Sequence, residues 1–571
     1  MTAFEPVEVN ISAGRIRGDS NNGVIHFGGV PFAAPPIAKL RWKRPQPVEP
    51  WDEVLDCTEG RAPTVRRAWP VQAMSDEDKQ KGHISEDCLH GHVWAPAKAN
   101  GAPVLVWIYG GSLVAGAHEQ EDSGKSYAER GIVFCSFNYR VGALGFLYPD
   151  GGDPNCGFWD QVAALQWVQR EITAFGGDPK LVSIMGESSG ADSVFFHCAS
   201  PASKGLFARA IIQSPAAFPV TLAQAREIAE EFASLLGAKS TTLEVLQQVS
   251  VDDILRVQDG KGFRLYPTVG PGWRLGGEAL PPFQVVPDPS PAGLFRYPPP
   301  SGDWPGSYYP FPAVVLDGEF MVEAPLDALA HGAASHLSVI VGANREELSP
   351  ESYGPEIKGG REEVLQRIDW EIAGMPKTLH ATQPELRARS ECLVAVYEAE
   401  RSADPWRLGR TSETPSPEQW LSNTIFSDFG HIACAELIAQ RLASGGRSHS
   451  IYRYQFDGFG GRGAHHGHEL ELCLGDGSRL ERGSEEARKM WLDSWASFVR
   501  SGDPNSDAMA SAWEPYDGTG RTLMLWDGLT GWRAGAAAGF DGRAGLFATM
   551  QLWEELWSLE PACPRKRCSV Q

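Results

Sequence analysis

A chain of 571 residues with 42% hydrophobic and 22% charged side chains can bury a large core. Its net charge of −21 works against a nucleic-acid backbone, which needs clustered Lys and Arg, and slightly against anionic ligands. Ten cysteines in this length form no disulfide scaffold, and without C-x-x-C spacing a zinc site is not expected.

Residues 1–25 carry no continuous apolar stretch, so no secretory leader is visible. Nowhere do roughly 18 apolar residues run together as a membrane span requires. A cytoplasmic setting is expected, in which the sequon Asn10-Ile11-Ser12 would go unused. Short apolar runs then predict strands at 103–109 (PVLVWIY), 131–139 (GIVFCSFNY), 181–185 (LVSIM) and 208–214 (ARAIIQS). Between the second and third, DQVAALQWVQREITAF (160–175) has apolar residues at helical spacing. Further strands are predicted at 337–343 and 450–456, and a late helix at 487–502 closed by Gly502. Strands alternating with helices imply a mainly parallel sheet with helices on both faces. Residues 260–312 break this texture. They are rich in Pro, Gly and aromatics, which forbids long regular elements, and are expected to form an ordered irregular excursion over a pocket.

Gly186-Glu187-Ser188-Ser189-Gly190 is the sole G-x-S-x-G in the chain, set between a strand and a helix. A strand that ends on such a turn and restarts as a helix holds the serine hydroxyl out and aims backbone N–H groups at a developing oxyanion. A serine needs a histidine base, and the histidine needs a carboxylate to orient it. Tyr109-Gly110-Gly111-Ser112 follows the strand 103–109 and reads, on its own, equally well as a strand-to-loop turn or a donor loop.

FGGDPKLVSIMGESSG (175–190) closely resembles the active-serine signature of the type B carboxylesterase and cholinesterase family. Other blocks resemble that family in the same order: FGGVPFAAPPIAKLRWKRPQP (27–47), SEDCL (85–89), VWIYGG (106–111), FNYRVGALGFL (137–147), DQVAALQWV (160–168), FPAVVLDGEF (311–320), HHGHELELCLG (465–475) and SGDPN (501–505). The resemblance implies an α/β-hydrolase fold, with a large, mostly parallel central sheet, helices on both faces and irregular insertions covering a gorge. It implies one catalytic domain over residues 1–560 and a basic tail at 561–571.

By the same resemblance Ser188 is the nucleophile. In Asn344-Arg345-Glu346-Glu347-Leu348, Glu347 matches the acid, with Glu346 as a rival and Leu348 standing where the family has glycine. His466, within His466-Gly467-His468-Glu469, matches the base. His465 and His468 beside it raise a metal reading, but the spacing lacks the carboxylate or thiolate partners of zinc hydrolases. Gly111, Ser112 and Ser189 match the oxyanion amides, with Ser112 replacing a third glycine. Cys57 and Cys88 match a disulfide that closes an early loop, one that a cytosolic setting would leave unformed. Trp69, in that loop, reads as packing more readily than as a cation-binding ring.

Cys568-Ser569-Val570-Gln571, after Pro564-Arg565-Lys566-Arg567, fits C-a-a-X. Prenylation of Cys568 beside basic residues would supply two membrane signals, against the plainer reading of a frayed tail.

The expectation is a serine carboxylic-ester hydrolase without cofactor, acting through an acyl-enzyme on a small neutral or hydrophobic ester. The alternatives are an acyltransferase or other small-molecule biosynthetic enzyme of the same fold, and a non-catalytic cholinesterase-like binding protein. No nucleic acid is expected as partner, and a membrane only if Cys568 is lipidated.

Overall fold

The computed structural model describes residues 5–58, 85–114, 116–117, 123–216, 219–259, 286–287, 295–296, 313–348, 357–373, 383–403, 416–446, 450–458, 464–474, 485–507, 509, 511–518, 524–527, 531–534 and 550. Trp69, Cys568 and nearly all of the excursion 260–312 lie outside them. Among the described residues, thirteen strands join one sheet.

The middle of the sheet is parallel. Val133–Phe137, Ala102–Ile108, Gly177–Glu187, Arg209–Gln213, Ser338–Asn344, Ile451–Phe456 and Met524–Asp527 lie side by side in that order. These are the strands read from continuous apolar runs, apart from the last. They are buried on both faces, which removes any reason for polar residues to alternate with apolar ones. The flanks add antiparallel strands to the expected, mostly parallel sheet. His90–Pro96, Val24–Pro31, Gly14–Asn21 and Glu5–Ile11 extend the sheet antiparallel on one side, and Gly531–Ala534 ends it antiparallel on the other. Glu5–Ile11 alternates between more and less exposed positions, so it carries no apolar run. The sheet is therefore mixed, with a parallel centre.

Helices cover both sides. Cys156–Glu171 begins four residues before the predicted segment, and a 3₁₀ turn, Ile172–Phe175, completes it. Glu485–Ser501 matches the predicted late helix and ends against Gly502, whose φ is 84°. Its Trp491 and Trp495 set their rings edge-on to Tyr454, each with centroids 5.7 Å away.

Segments recognised separately in the sequence prove to be in contact. Arg41 pairs bidentately with Glu86, both bonds 2.7 Å. Trp42 Nε1 donates to the Ala143 carbonyl at 2.7 Å. Arg140 Nε and Nη2 grip the two oxygens of Asp160 at 2.7 and 2.6 Å, fully enclosed, and the Arg140 amide adds a third bond. Removing one partner of such an enclosed pair costs about 3–5 kcal/mol, because the other charge is stranded.

Cys57 and Cys88 are buried thiols rather than the disulfide that the resemblance implies. Burial pushes the Cys88 thiol far above its ordinary range, so it holds its proton and is a poor partner for disulfide exchange. Among the described residues no helix is long and apolar enough to cross a membrane.

Candidate active site

The strand Gly177–Glu187 delivers the chain to Ser188, and the helix Ser189–Ala199 departs at once. Ser188 takes φ 57° and ψ −130°, a strained conformation for a side chain with a Cβ. Its neighbours enforce it. A Cβ on Gly186 would sit 2.3 Å from the Gly190 carbonyl oxygen, and one on Gly190 only 2.1 Å from that of Ile108. Only glycine lets the three backbones pass. The Ser188 amide donates to Gln213 in the next strand at 2.9 Å, and the Asp192 amide returns to the Ser188 carbonyl at 3.0 Å. Glu187, Ser189 and Gly190 are buried, while Ser188 stays half-buried.

The predicted donor loop lies beside this turn. Ala102–Ile108 ends just before it, and Tyr109 and Tyr139 lock the strand ends by stacking at 4.4 Å with reciprocal bonds to each other's carbonyls. Gly111, Ser112 and Leu113 follow at φ 113°, 55° and 58°. Ser112 thus adopts the left-handed backbone that a glycine would enter without cost. Ser189 reaches the same loop through its side chain, where Oγ accepts from the Leu113 amide at 3.0 Å. Gly111, Ser112 and Ser189 are therefore brought to one place.

The residues predicted as acid and base are joined by two bonds. The His466 amide donates to the Glu347 carbonyl at 3.0 Å, and the His466 ring donates from Nδ1 to Glu347 Oε2 at 2.7 Å. Glu347 Oε1 accepts from the Asn344 amide at 2.6 Å, at the end of the strand Ser338–Asn344. The rival Glu346 turns instead to Arg345 at 3.3 Å. Leu348, in the family's glycine position, fits because the facing residue is Gly430, where even a Cβ would stand 3.3 Å from the leucine Cδ1. His465 and His468 stack on each other at 4.2 Å, and the His465 carbonyl accepts from Asn344.

Three further residues enter the site. Glu187, inside the serine pentapeptide, places Oε1 3.2 Å from His466 Nε2. Glu469, three residues after the base, accepts from Asn344 Nδ2 at 2.5 Å and Gln213 Nε2 at 3.4 Å. Both lie within quoted motifs, so proximity to Ser188 and His466 was the available signal. His431 had none: it lies in a helical region and stacks on His466 with centroids 4.4 Å apart.

The electrostatics follow from packing three buried carboxylates around one imidazole. Burial opposes charge on His466, but Glu187, Glu347 and Glu469 outweigh it and hold the ring well above the usual imidazole range. Burial raises Glu187 and Glu469, and repulsion from Glu347 raises them further. Glu347 is itself lowered. Burial works against its charge, and His431, His466 and Ser214 more than compensate. Glu347 is thus the standing anion of the site.

Glu347, His431 and His466 also present donor atoms within 4.8 Å of one another. The Nδ1 atoms of both rings are already engaged, one with Glu347 and one with the Ser214 carbonyl. Two stacked rings 29° apart also keep their lone pairs in two nearly parallel, separated planes, so a shared ion would lie out of the plane of at least one ring. The geometry suits hydrogen-bonded proton transfer.

An α/β-hydrolase sheet with a serine on a strained strand-to-helix turn, and a carboxylate-bound histidine whose Nε2 lies 3.2 Å from the residue before that serine, defines a class of hydrolytic enzyme. Residues 5–528 match the model of the carboxylesterase family, and the chain belongs to that family and is a carboxylic-ester hydrolase. It is 29% identical to the para-nitrobenzyl esterase of Bacillus subtilis, over 90% of this chain and 94% of that one. It is 30% identical to the acetylcholinesterase of Bungarus fasciatus, over 89% and 81%. Among solved structures, a PNB esterase superposes with a TM-score of 0.71 at 26% identity, covering 95% of this chain and 99% of the other. A Geobacillus stearothermophilus carboxylesterase superposes at 0.69 and 25%, covering 94% and 99%.

Proposed function

We propose that Ser188, His466 and Glu347 form a nucleophile–base–acid triad that cleaves neutral carboxylic esters through an acyl-enzyme. The observation that carries this is the 2.7 Å bond from His466 Nδ1 to the buried Glu347, with Nε2 3.2 Å from Glu187, the residue before Ser188, where it can accept a proton once the ring has lost its charge. In the first step Nε2 takes the Ser188 proton as Oγ attacks the ester carbonyl. The oxyanion is held by the amides of Gly111, Ser112 and Ser189, and the alcohol leaves with the proton from His466. Water activated by the same nitrogen then attacks the acyl group and releases the acid and Ser188. Glu347 stabilises the imidazolium that forms in each half.

A neutral substrate is supported by Glu187 and Glu469, which set carboxyl groups rather than cationic side chains beside the base. The names of the relatives, a para-nitrobenzyl esterase and a mouse pyrethroid hydrolase, agree with neutral esters.

A fluorophosphonate probe followed by peptide mapping tests the assignment. Label is expected on Ser188 alone, and Ser188→Ala is expected to lower kcat on p-nitrophenyl esters by roughly a million-fold. Label on another residue, or a Ser188→Ala protein with wild-type turnover, would overturn it.

A further inference from the structure

The helices Pro417–Ser427 and Ala433–Ser444 run into each other through a π-helical turn, Asp428–Ile432. A π turn inserts one residue into the ladder and re-aims the side chains that follow, and such turns concentrate at functional sites. This one carries His431. Its ring lies on the face of the His466 ring, with centroids 4.4 Å apart and planes 29° apart. Its Nδ1 donates to the Ser214 carbonyl at 2.9 Å. Ser214 is itself held at φ 57°, with its amide bound to the Gly342 carbonyl at 2.8 Å, between two central strands. The π turn is tied to the acid loop as well. Ser427 Oγ accepts from the Leu348 amide at 3.1 Å, and the Tyr397 hydroxyl donates to Asp428 at 2.7 Å.

From this geometry we infer that His431 is a positioning residue for the catalytic base, a ring anchored to the sheet that fixes the plane of His466 from its face. This rests on the triad proposed above. Glu347 and Glu187 meet His466 at Nδ1 and Nε2, and neither contact sets the tilt of the ring about the line between those two atoms. A second ring stacked on its face sets that tilt, and with it the plane in which Nε2 accepts a proton. The role needs His431 neutral. Burial and the charge of His466 push it down to about 4, against smaller opposing contributions from Glu347 and the backbone, so it stacks as a flat uncharged ring.

The test compares His431→Ala, His431→Gln and His431→Phe, measuring kcat and KM on a p-nitrophenyl ester and the downfield proton resonance of the His466–Glu347 bond. His431→Ala and His431→Gln, which lose the plane, are expected to lower kcat by about 10–100-fold, as small misplacements of a reacting group do. KM should stay within about twofold, since ground-state binding is untouched. The downfield resonance should broaden. His431→Phe keeps the plane and is expected to recover most of kcat. If the alanine protein fails to fold, the Gln and Phe pair carries the comparison. Wild-type kcat in the glutamine variant, equal losses in glutamine and phenylalanine, or a change confined to KM would each overturn the inference. Failure of the triad itself is distinguished by Ser188→Ala, which would then retain turnover.

Discussion

Ser188 is set by the continuous segment 177–199, a strand, a turn and a helix, whereas His466 is held by Glu347 from 119 positions away and overlain by His431 from another helix. The first region is a steric device. Glycines at 186 and 190 admit backbones that no side chain would tolerate. The second is electrostatic, with one standing anion, two raised carboxyls and an imidazole that keeps its charge. A short segment can encode backbone clashes by itself. Opposed charges can be balanced only where distant strands end side by side.

Breaking each region separately should give different failures. Glu347→Gln strikes the electrostatic side and should lower kcat by about ten-thousand-fold, as loss of the orienting carboxylate does elsewhere, while thermal unfolding stays cooperative. Gly190→Ala strikes the steric side. Its Cβ would press on the Ile108 carbonyl, and the expected cost is about 1–3 kcal/mol in denaturant unfolding, with slower fluorophosphonate labelling. Unchanged stability there would mean that the turn is not sterically enforced.

Glu187 belongs to both regions and sharpens the comparison through pH. Its carboxylate helps to hold the proton on His466, and the base works only after that proton is lost. Glu187→Gln removes this attraction, so the acid limb of kcat/KM should move to lower pH by about one unit. A limb that moves upward or stays in place would deny Glu187 its part in setting the base. The smallest effect belongs to Glu346. It faces Arg345 in a half-exposed pair, and Glu346→Gln should leave kcat within about twofold.

Sequence alone determined whatever depends on neighbours along the chain. The apolar runs marked six of the seven parallel strands, and the pentapeptide marked the turn at Ser188. Resemblance then singled out Glu347 and His466. The antiparallel flanks were not legible, because an edge strand such as Glu5–Ile11 needs only scattered apolar positions. Only the tertiary structure turned Glu347 to His466 and Glu346 to Arg345, left Cys57 and Cys88 as thiols, brought Glu187 and Glu469 to His466 and laid His431 across it. The reason is physical: the charge a buried group carries and the plane a ring adopts depend on which distant groups exclude water from them, and a linear order of residues does not contain that distance.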